Sequence, residues 1–204
     1  MKAIAVTPAN HAIALIDQPE PLLTSSTGVK LRMLEVGVCG TDKEICAFDY
    51  GTPPPGSEYL VIGHESLGEV VETGSQVTTL RPGDLVVTMV RRPCDDPRCT
   101  ACRAGRSDFC FTGGFTERGI KMAHGYMTEA VVDDAALTQA LERCGLHHLV
   151  ARLGGDEFVV LLNGRTAEET PTSDEAVEAL AERLVNVLAQ PVEVERRAVR
   201  LGAS

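Results

Sequence analysis

Four cysteines lie close together in a polar stretch near the middle of the chain. They are Cys94, Cys99, Cys102 and Cys110, and they are separated by four, two and seven residues. Four thiolates in one short loop can close a tetrahedron around Zn²⁺, with each Zn–S distance about 2.3 Å. Because a closed site leaves no position for a substrate, the spacing predicts a structural zinc site. The alternative is a set of free or oxidised thiols in a loop.

A second group of possible metal ligands is split between two short motifs. Cys39 stands in a Gly-Val-Cys-Gly-Thr-Asp segment, and His64 and Glu65 follow a glycine further along. A thiolate, an imidazole and a carboxylate with one open position form the ligand set of a catalytic zinc. Such a zinc polarises an alcohol or carbonyl oxygen, and Thr41 stands two residues past Cys39, where its hydroxyl could pass the alcohol proton outward. The alternative is that Cys39 and His64 are ordinary core or surface residues.

Composition narrows the range of partners. The 204 residues carry 19 basic and 29 acidic side chains, a formal net charge of −10, which disfavours nucleic acid and anionic membranes as partners. No apolar run approaches the ~20 residues of a membrane span, and the apolar start is too short for a signal peptide. We therefore expect a cytoplasmic protein, in which seven clustered cysteines favour metal over disulfides. The oligomeric state is not predicted.

The first two thirds of the chain have the pattern of a β protein. Short runs of Val, Ile and Leu alternate with Gly, Pro and Asp, and three of them predict strands, at 30–36, 68–74 and 83–88. Arg81-Pro82-Gly83-Asp84 predicts a turn, because Pro fixes φ and Gly tolerates a positive φ. Many short strands with frequent turns favour a barrel.

The last third has a different pattern. Residues 135–146 and 174–190 predict helices, the second of them amphipathic and begun by a capping-box pattern of Thr172 and Glu175. An apolar run at 158–162 predicts a buried strand. Alternating residues at 192–195 and 198–201 predict a strand pair. Together these elements predict a small α+β unit.

Several segments in the first 135 residues resemble the medium-chain dehydrogenase/reductase superfamily, and within it the glucose dehydrogenases. The four-cysteine stretch and the segments 36–42, 61–65, 117–121 and 124–127 carry the resemblance, in the family's order. The resemblance implies a mainly β, GroES-like barrel in which Cys39 and His64 bind catalytic zinc and Glu65 lies at or next to that zinc. It also implies that Glu117 contacts sugar hydroxyls. The alternative for Glu117 is a surface carboxylate paired with Arg118.

The family's nucleotide-binding motif is missing from the sequence. No G-x-G-x-x-G loop, whose backbone approaches a pyrophosphate at a helix N-terminus, occurs among the 204 residues. We therefore expect no Rossmann domain here. NAD(P) would bind only if a missing domain were supplied, and a sugar or alcohol would not be turned over by this chain alone.

The last third resembles a second family, the GGDEF domains of diguanylate cyclases. The signature residues are Gly154, Gly155, Asp156, Glu157 and Phe158. The resemblance implies a β-hairpin turn whose glycines let GTP approach and whose carboxylates bind metal. The family's other metal-binding and base-contacting segments are not visible, so we expect no cyclase activity. The alternative is a plain Gly-Gly hairpin.

The sequence thus predicts a chimera of two partial domains. Residues 1–135 form a GroES-like zinc dehydrogenase domain, 136–150 a junction and 151–204 a partial GGDEF-like segment. We interpret Cys144, His147 and His148 as linker residues. Three hypotheses follow: a zinc-binding part of a sugar or alcohol dehydrogenase, a signalling protein that binds GTP or cyclic di-GMP, and a module without catalytic function.

Overall fold

A computed structural model of the chain describes residues 1–144, 148–154, 157–162, 178–179, 181–182, 192–194 and 197–199. It gives side chains for residues 1–141, 178–179 and 181–182. The chain divides into two compact units. One consists of Met1–Arg143 and Val150–Val160, and the other of Cys144–Leu149 and Leu161–Ser204.

Strands make up most of the described secondary structure. In chain order they are β1 (Lys2–Thr7), β2 (Ala12–Asp17), β3 (Gly28–Gly37), β4 (Leu60–Val61), β5 (Glu65–Thr73), β6 (Leu85–Thr88), β7 (Arg91–Arg92), β8 (Thr116–Arg118), β9 (Met122–Ala123), β10 (Ala130–Asp134), β11 (Thr138–Ala140), β12 (Glu142–Cys144), β13 (His148–Gly154), β14 (Glu157–Leu162), β15 (Val192–Val194) and β16 (Arg197–Val199). Two short α-helices are described in full, α1 (Gly40–Cys46) and α2 (Thr100–Arg103), with 3₁₀ turns at Pro8–Asn10, Ser107–Phe109 and Ala135–Leu137.

The largest sheet has five strands in the order β10-β3-β5-β6-β11. β3 and β5 pair antiparallel along most of their length, and two register shifts interrupt the pairing. Such irregularities bend a strand and increase its twist, which suits a sheet that curves around a core. The predicted strands at 30–36, 68–74 and 83–88 are therefore confirmed as β3, β5 and β6.

The predicted turn before β6 is also confirmed. The amide of Asp84 donates to the carbonyl of Arg81 over 3.0 Å, and Gly83 has φ +93°. A positive φ at this third turn position requires glycine, as the sequence pattern indicated.

Two small sheets complete the first part of the chain. One has the order β2-β1-β4 and the other the order β7-β8-β9. The second carries the segments before and after the four-cysteine stretch, because β7 pairs with β8 at Arg91↔Glu117 and Arg92↔Thr116.

The core forms two apolar clusters. One lies on the five-stranded sheet and includes Val29, Leu31, Val70, Leu80, Val86, Tyr126 and Val131. The other lies beside α1 and β4 and includes Val6, Ile45, Leu60, Ile62, Val90 and Ile120. Aliphatic residues dominate both clusters, as expected for a chain with 4% aromatic residues.

The predicted helix at 135–146 is wrong. A 3₁₀ turn occupies Ala135–Leu137, and the following residues form β11 and β12. β11 pairs antiparallel with β6 at Thr138↔Thr88, Gln139↔Val87 and Ala140↔Val86. Pairing with the free edge of β6 overrides the weak local helix propensity of this segment.

The last third is described only in pieces. The predicted strand at 158–162 is confirmed within β14, in a sheet of order β12-β13-β14. β15 and β16 pair antiparallel, in agreement with the predicted strand pair. Residues 178–179 and 181–182 are helical, whereas the capping-box residues Thr172 and Glu175 lie outside the described residues. No helix among the described residues is long and apolar enough to cross a membrane.

Candidate metal centres

The pairing of β3 with β5 brings the two halves of the first candidate site together. Gly37, the last residue of β3, lies opposite Glu65, the first residue of β5. Cys39 follows two residues after Gly37 as the N-cap of α1, and His64 immediately precedes β5. Two motifs that are separated along the chain therefore meet at one end of the five-stranded sheet.

Three predicted ligands lie within reach of one metal ion. Cys39 Sγ is 3.3 Å from His64 Nε2, and His64 Nε2 is 4.0 Å from Glu65 Oε1. The three ligand atoms all lie within 4.8 Å of one another. Donors around a tetrahedral zinc stand about 3.5 Å apart, so this set fits the ion. His64 is buried whereas Cys39 and Glu65 are partly exposed, so the cluster is not fully enclosed.

Asp42 lies behind His64 and was given no role from the sequence. Its Oδ1 is 3.5 Å from His64 Nδ1, and its Oδ2 accepts the Cys39 amide over 3.0 Å. Burial alone would raise the pKa of Asp42, but the contacts with His64 and Cys39 hold that pKa below its ordinary value. A carboxylate in this place favours the tautomer with a proton on Nδ1, which leaves Nε2 free to bind metal. The signal in the sequence was its position three residues past Cys39, where it completes a capping box.

Gly37 makes room for the Glu65 carboxylate. A Cβ at Gly37 would stand 2.5 Å from Glu65 Oε2 and 3.1 Å from Glu65 Cβ. Any larger residue at position 37 would require the Glu65 carboxylate to move. Thr41 lies in the first turn of α1 and is half-buried, so its proposed part in proton transfer stays a prediction.

The four cysteines of the second site converge on one point. Cys94 Sγ is 3.7 Å from Cys110 Sγ, and Cys110 Sγ is 3.8 Å from Cys99 Sγ. All four sulfur atoms lie within 4.8 Å of one another. The edge of a tetrahedron with 2.3 Å Zn–S bonds is about 3.8 Å, so the sulfur atoms already have the spacing of a zinc site.

A turn centred on Asp96 accommodates the four residues between Cys94 and Cys99. Asp96 accepts the Arg98 amide on its side chain over 2.9 Å and the Cys99 amide on its carbonyl over 2.9 Å. The turn folds the inserted residues back, and Cys99 then starts α2, which places Cys102 one turn later.

Thr112 is a further residue that the sequence did not indicate. Its hydroxyl lies 3.2 Å from Cys94 Sγ and 3.5 Å from Cys110 Sγ. The hydrogen bond with Thr112 lowers the pKa of Cys110 to about 6. The Cys94 amide favours the thiolate of Cys102, but burial and the neighbouring thiols outweigh it and raise the pKa of Cys102 to about 12. Thiols this close cannot all ionise without a cation among them, which suits a metal site.

Three arginines in and just before the four-cysteine stretch pair with carboxylates: Arg91 with Glu117, Arg92 with Asp133 and Arg98 with Asp96.

Glu117 is not the surface carboxylate that one alternative described. It is 8% exposed, and its Oε1 accepts Arg91 Nε over 2.9 Å. Arg118, the partner expected in that alternative, lies 4.8 Å over the ring of Tyr126 and 3.9 Å from Asp133 Oδ2. The sugar contact of Glu117 stays a prediction.

The GGDEF signature lies partly outside the described residues. Gly154 ends β13, and Glu157 and Phe158 begin β14, whereas Gly155 and Asp156 are not described. β13 and β14 are neighbours in one sheet, so the described signature residues belong to two adjacent strands. No side chain of this segment is among those described, so its ligand-binding role stays a prediction.

Two families match this chain. Residues 25–142 match the alcohol dehydrogenase GroES-like domain, and residues 134–204 match the diguanylate cyclase GGDEF domain. The first match covers more than half of the chain, which therefore belongs to the family of alcohol dehydrogenase GroES-like domains.

Glucose dehydrogenases are among the proteins to which this chain is similar. The chain is 48% identical over 132 residues to glucose 1-dehydrogenase of Methanocella arvoryzae, covering 63% of this chain and 36% of that protein. It is 46% identical over 138 residues to glucose 1-dehydrogenase 1 of Vulcanisaeta moutnovskia, covering 66% of this chain and 37% of that protein. The chain thus spans little more than a third of the length of these curated relatives.

A solved structure supports the same assignment. Haloferax mediterranei glucose dehydrogenase, in complex with NADP, Zn and gluconolactone, superposes with a TM-score of 0.62 and 37% identity. The superposition covers 70% of this chain and 39% of that one. The mainly β, GroES-like architecture predicted for the first part is therefore confirmed.

Proposed function

We propose that this chain is the zinc-binding catalytic part of an NAD(P)-dependent dehydrogenase acting on a sugar or alcohol. The observation that carries the proposal is the convergence of Cys39, His64 and Glu65 at one point. The similarity to glucose 1-dehydrogenases supports a sugar such as glucose as the substrate. The four-cysteine site would hold a second, structural zinc.

The residues around the first site have separate roles in this proposal. Zinc held by Cys39, His64 and Glu65 would supply a Lewis acid for the substrate oxygen. Asp42 fixes the tautomer and ring orientation of His64 through the contact at Nδ1. Thr41 takes the hydroxyl proton and passes it to solvent, and Glu117 accepts hydrogen bonds from sugar hydroxyls.

Hydride transfer requires a nicotinamide cofactor. These 204 residues contain no recognisable motif that would bind one. No G-x-G-x-x-G loop occurs in the sequence, whereas the similar Haloferax mediterranei structure contains NADP. We therefore expect the chain to bind zinc and sugar but not to reduce NAD(P)⁺ until a nucleotide-binding domain is supplied. Robust glucose oxidation by the purified chain would contradict this part of the proposal.

Cobalt substitution tests substrate binding without turnover. Co²⁺ in the Cys39 site gives visible absorption bands that respond to a ligand in the open position. We expect glucose or gluconolactone to shift these bands in the parent protein, and the site's own bands to be absent from Cys39→Ser. Absorption bands that do not change when sugars or simple alcohols are added would contradict a substrate-binding role.

A second candidate function rests on the GGDEF match over residues 134–204. In that case the chain is a signalling protein that binds GTP or cyclic di-GMP and does not cyclise GTP. Calorimetry with each nucleotide, on the parent protein and on Glu157→Ala, tests this function. Heat that disappears in the variant supports it, and no heat above buffer in the parent rules it out.

A further inference from the structure

Arg91 makes contacts in two directions from β7. On one side its Nε donates to Glu117 Oε1 over 2.9 Å, and its Nη2 lies 2.8 Å from the same oxygen as part of the ion pair. On the other side its Nη1 donates to the carbonyl of Asp108 over 3.2 Å. A planar guanidinium holds such partners in a fixed relative geometry, which a flexible lysine would not do.

The Asp108 end of this bridge belongs to the four-cysteine loop. Asp108 stands two residues before the ligand candidate Cys110, within the 3₁₀ turn Ser107–Phe109. The backbone of Arg91 is tied to the same turn, because the buried Ser107 hydroxyl donates to the Arg91 carbonyl over 3.1 Å. Two hydrogen bonds, one from the side chain of Arg91 and one to its backbone, therefore join Arg91 to the turn that precedes Cys110.

The Glu117 end of the bridge is held equally firmly. Glu117 lies directly opposite Arg91 in the β7–β8 pair, and its side chain is buried. The ring of Phe115 fixes the guanidinium from one face at 4.3 Å, with the ammonium of Lys121 3.8 Å from the same ring. The Glu117 carboxylate consequently has little freedom apart from the movement of Arg91.

We propose that Arg91 is a positioning residue that links the four-cysteine site to Glu117, so that a metal ion bound by the cysteines sets the orientation of the Glu117 carboxylate. This inference rests on the proposed function for its consequence, since Glu117 is the predicted sugar-binding carboxylate. Coupling between two sites is reciprocal, so a change at Glu117 also alters metal binding by the cysteines. The structural zinc would then contribute to substrate recognition as well as to folding.

The test follows the Glu117 carboxyl carbon by ¹³C NMR while zinc is added. A Cys39→Ser background confines zinc to the four-cysteine site, and Glu117→Gln assigns the resonance. We expect the Glu117 signal to move as one zinc per chain binds, and the movement to be lost in Arg91→Met. Arg103→Met is the matched control, because it removes an exposed charge of the same loop. The Arg103 side chain donates to the Pro97 carbonyl over 3.4 Å. In this variant the Glu117 signal should move as in the parent.

Two further measurements distinguish the possible failures. Arg91→Lys should retain part of the movement, and Glu117→Gln should weaken zinc binding at the cysteines about fivefold or more. Zinc that binds while the Glu117 signal stays still, or moves equally in Arg91→Met, would overturn the link and leave the metal site intact. No zinc bound in the Cys39→Ser background would overturn the structural site and the link together.

Discussion

At the scale of single residues, we expect Asp42 to influence how tightly the first site binds metal. It contacts both His64 Nδ1 and the amide of Cys39, so it orients two candidate ligands at once. Asp42→Asn keeps the shape but removes the charge that favours a proton on Nδ1. We expect zinc affinity at the Cys39 site to fall about 10- to 100-fold, measured by chelator competition in a Cys99→Ser background.

Asp49→Asn is the matched control for this substitution. Asp49 follows the same helix but is exposed. The zinc affinity of the Asp49→Asn protein should equal that of the parent. Equal affinities for the two variants would mean that Asp42 serves only to cap α1.

The sequence revealed the candidate ligands but not the residues that support them. Cys39, His64 and the four cysteines carry recognisable chemistry and spacing. The supporting residues act through contacts that the fold creates; they are Asp42, Thr112 and the Arg91–Glu117 pair. Asp42 and His64 are 22 residues apart in the sequence, and Arg91 and Glu117 are 26 apart. Apart from the capping-box position of Asp42, these residues are of types common at any surface, so spacing alone could not distinguish them.

At the scale of structural elements, three glycines position the segment that carries His64. Gly119 and Gly125 pack against the backbone of Gly63, and the amide of Tyr126 donates to the Gly63 carbonyl over 2.9 Å. A Cβ at Gly125 would overlap Gly63 O and stand 2.6 Å from Gly119 Cα. We expect Gly125→Ala to lower the free energy of unfolding by about 1–3 kcal/mol, measured by urea denaturation of the metal-free protein.

Gly40→Ala provides the comparison for Gly125→Ala. A Cβ there meets nothing within 4 Å, and alanine suits the first turn of α1. This variant should be within about 0.5 kcal/mol of the parent. If the Gly125→Ala protein were as stable as the Gly40→Ala protein, the contact of Gly125 with the backbone of Gly63 and Gly119 would have room for a Cβ.

A buried polar network joins β7 to β10 and gives the fold a pH dependence. Arg92 donates to both carboxylate oxygens of Asp133 over 2.6 and 2.7 Å, and the Tyr126 hydroxyl donates to Asp133 over 2.9 Å. Burial raises the pKa of Tyr126, and the Asp133 carboxylate raises it further. Its contribution to stability is therefore complete below about pH 10, the unfolded value, and is lost as pH rises through the higher folded value.

We expect the free energy of unfolding to fall above about pH 10 more steeply in the parent than in Tyr126→Phe. Tyr50→Phe, at an exposed tyrosine, should keep the slope of the parent. Urea denaturation at neutral pH and at about pH 10.5 measures both slopes. Identical slopes in parent and Tyr126→Phe would mean that the phenol ionises without unfolding.

The predicted elements were right where local pattern and tertiary context agree. β3, β5, β6 and the turn at Arg81–Asp84 combine alternating apolar residues with glycine and proline punctuation. The helix predicted at 135–146 was wrong because the alanines and leucines of this segment have no strong strand pattern that would indicate β11. Only the open edge of β6, which is distant in sequence, makes β11 a strand.

At the scale of the whole molecule, one chain carries the matches to two families. The GroES-like match ends at residue 142 and the GGDEF match begins at 134, while the chain spans little more than a third of its dehydrogenase relatives. Both groups of candidate metal ligands lie within the first 110 residues, inside the part of the chain that carries the GroES-like match and its β strands. Metal binding is therefore the property of this part that we propose to test.

Zinc content per chain, determined by elemental analysis of protein purified without added metal, tests the central claim most directly. We predict about two zinc ions in the parent and about one in either Cys99→Ser or Cys39→Ser. One ion in the parent, lost only in Cys99→Ser, would leave the structural site and contradict the catalytic one. A parent protein without zinc would contradict the assignment of both sites.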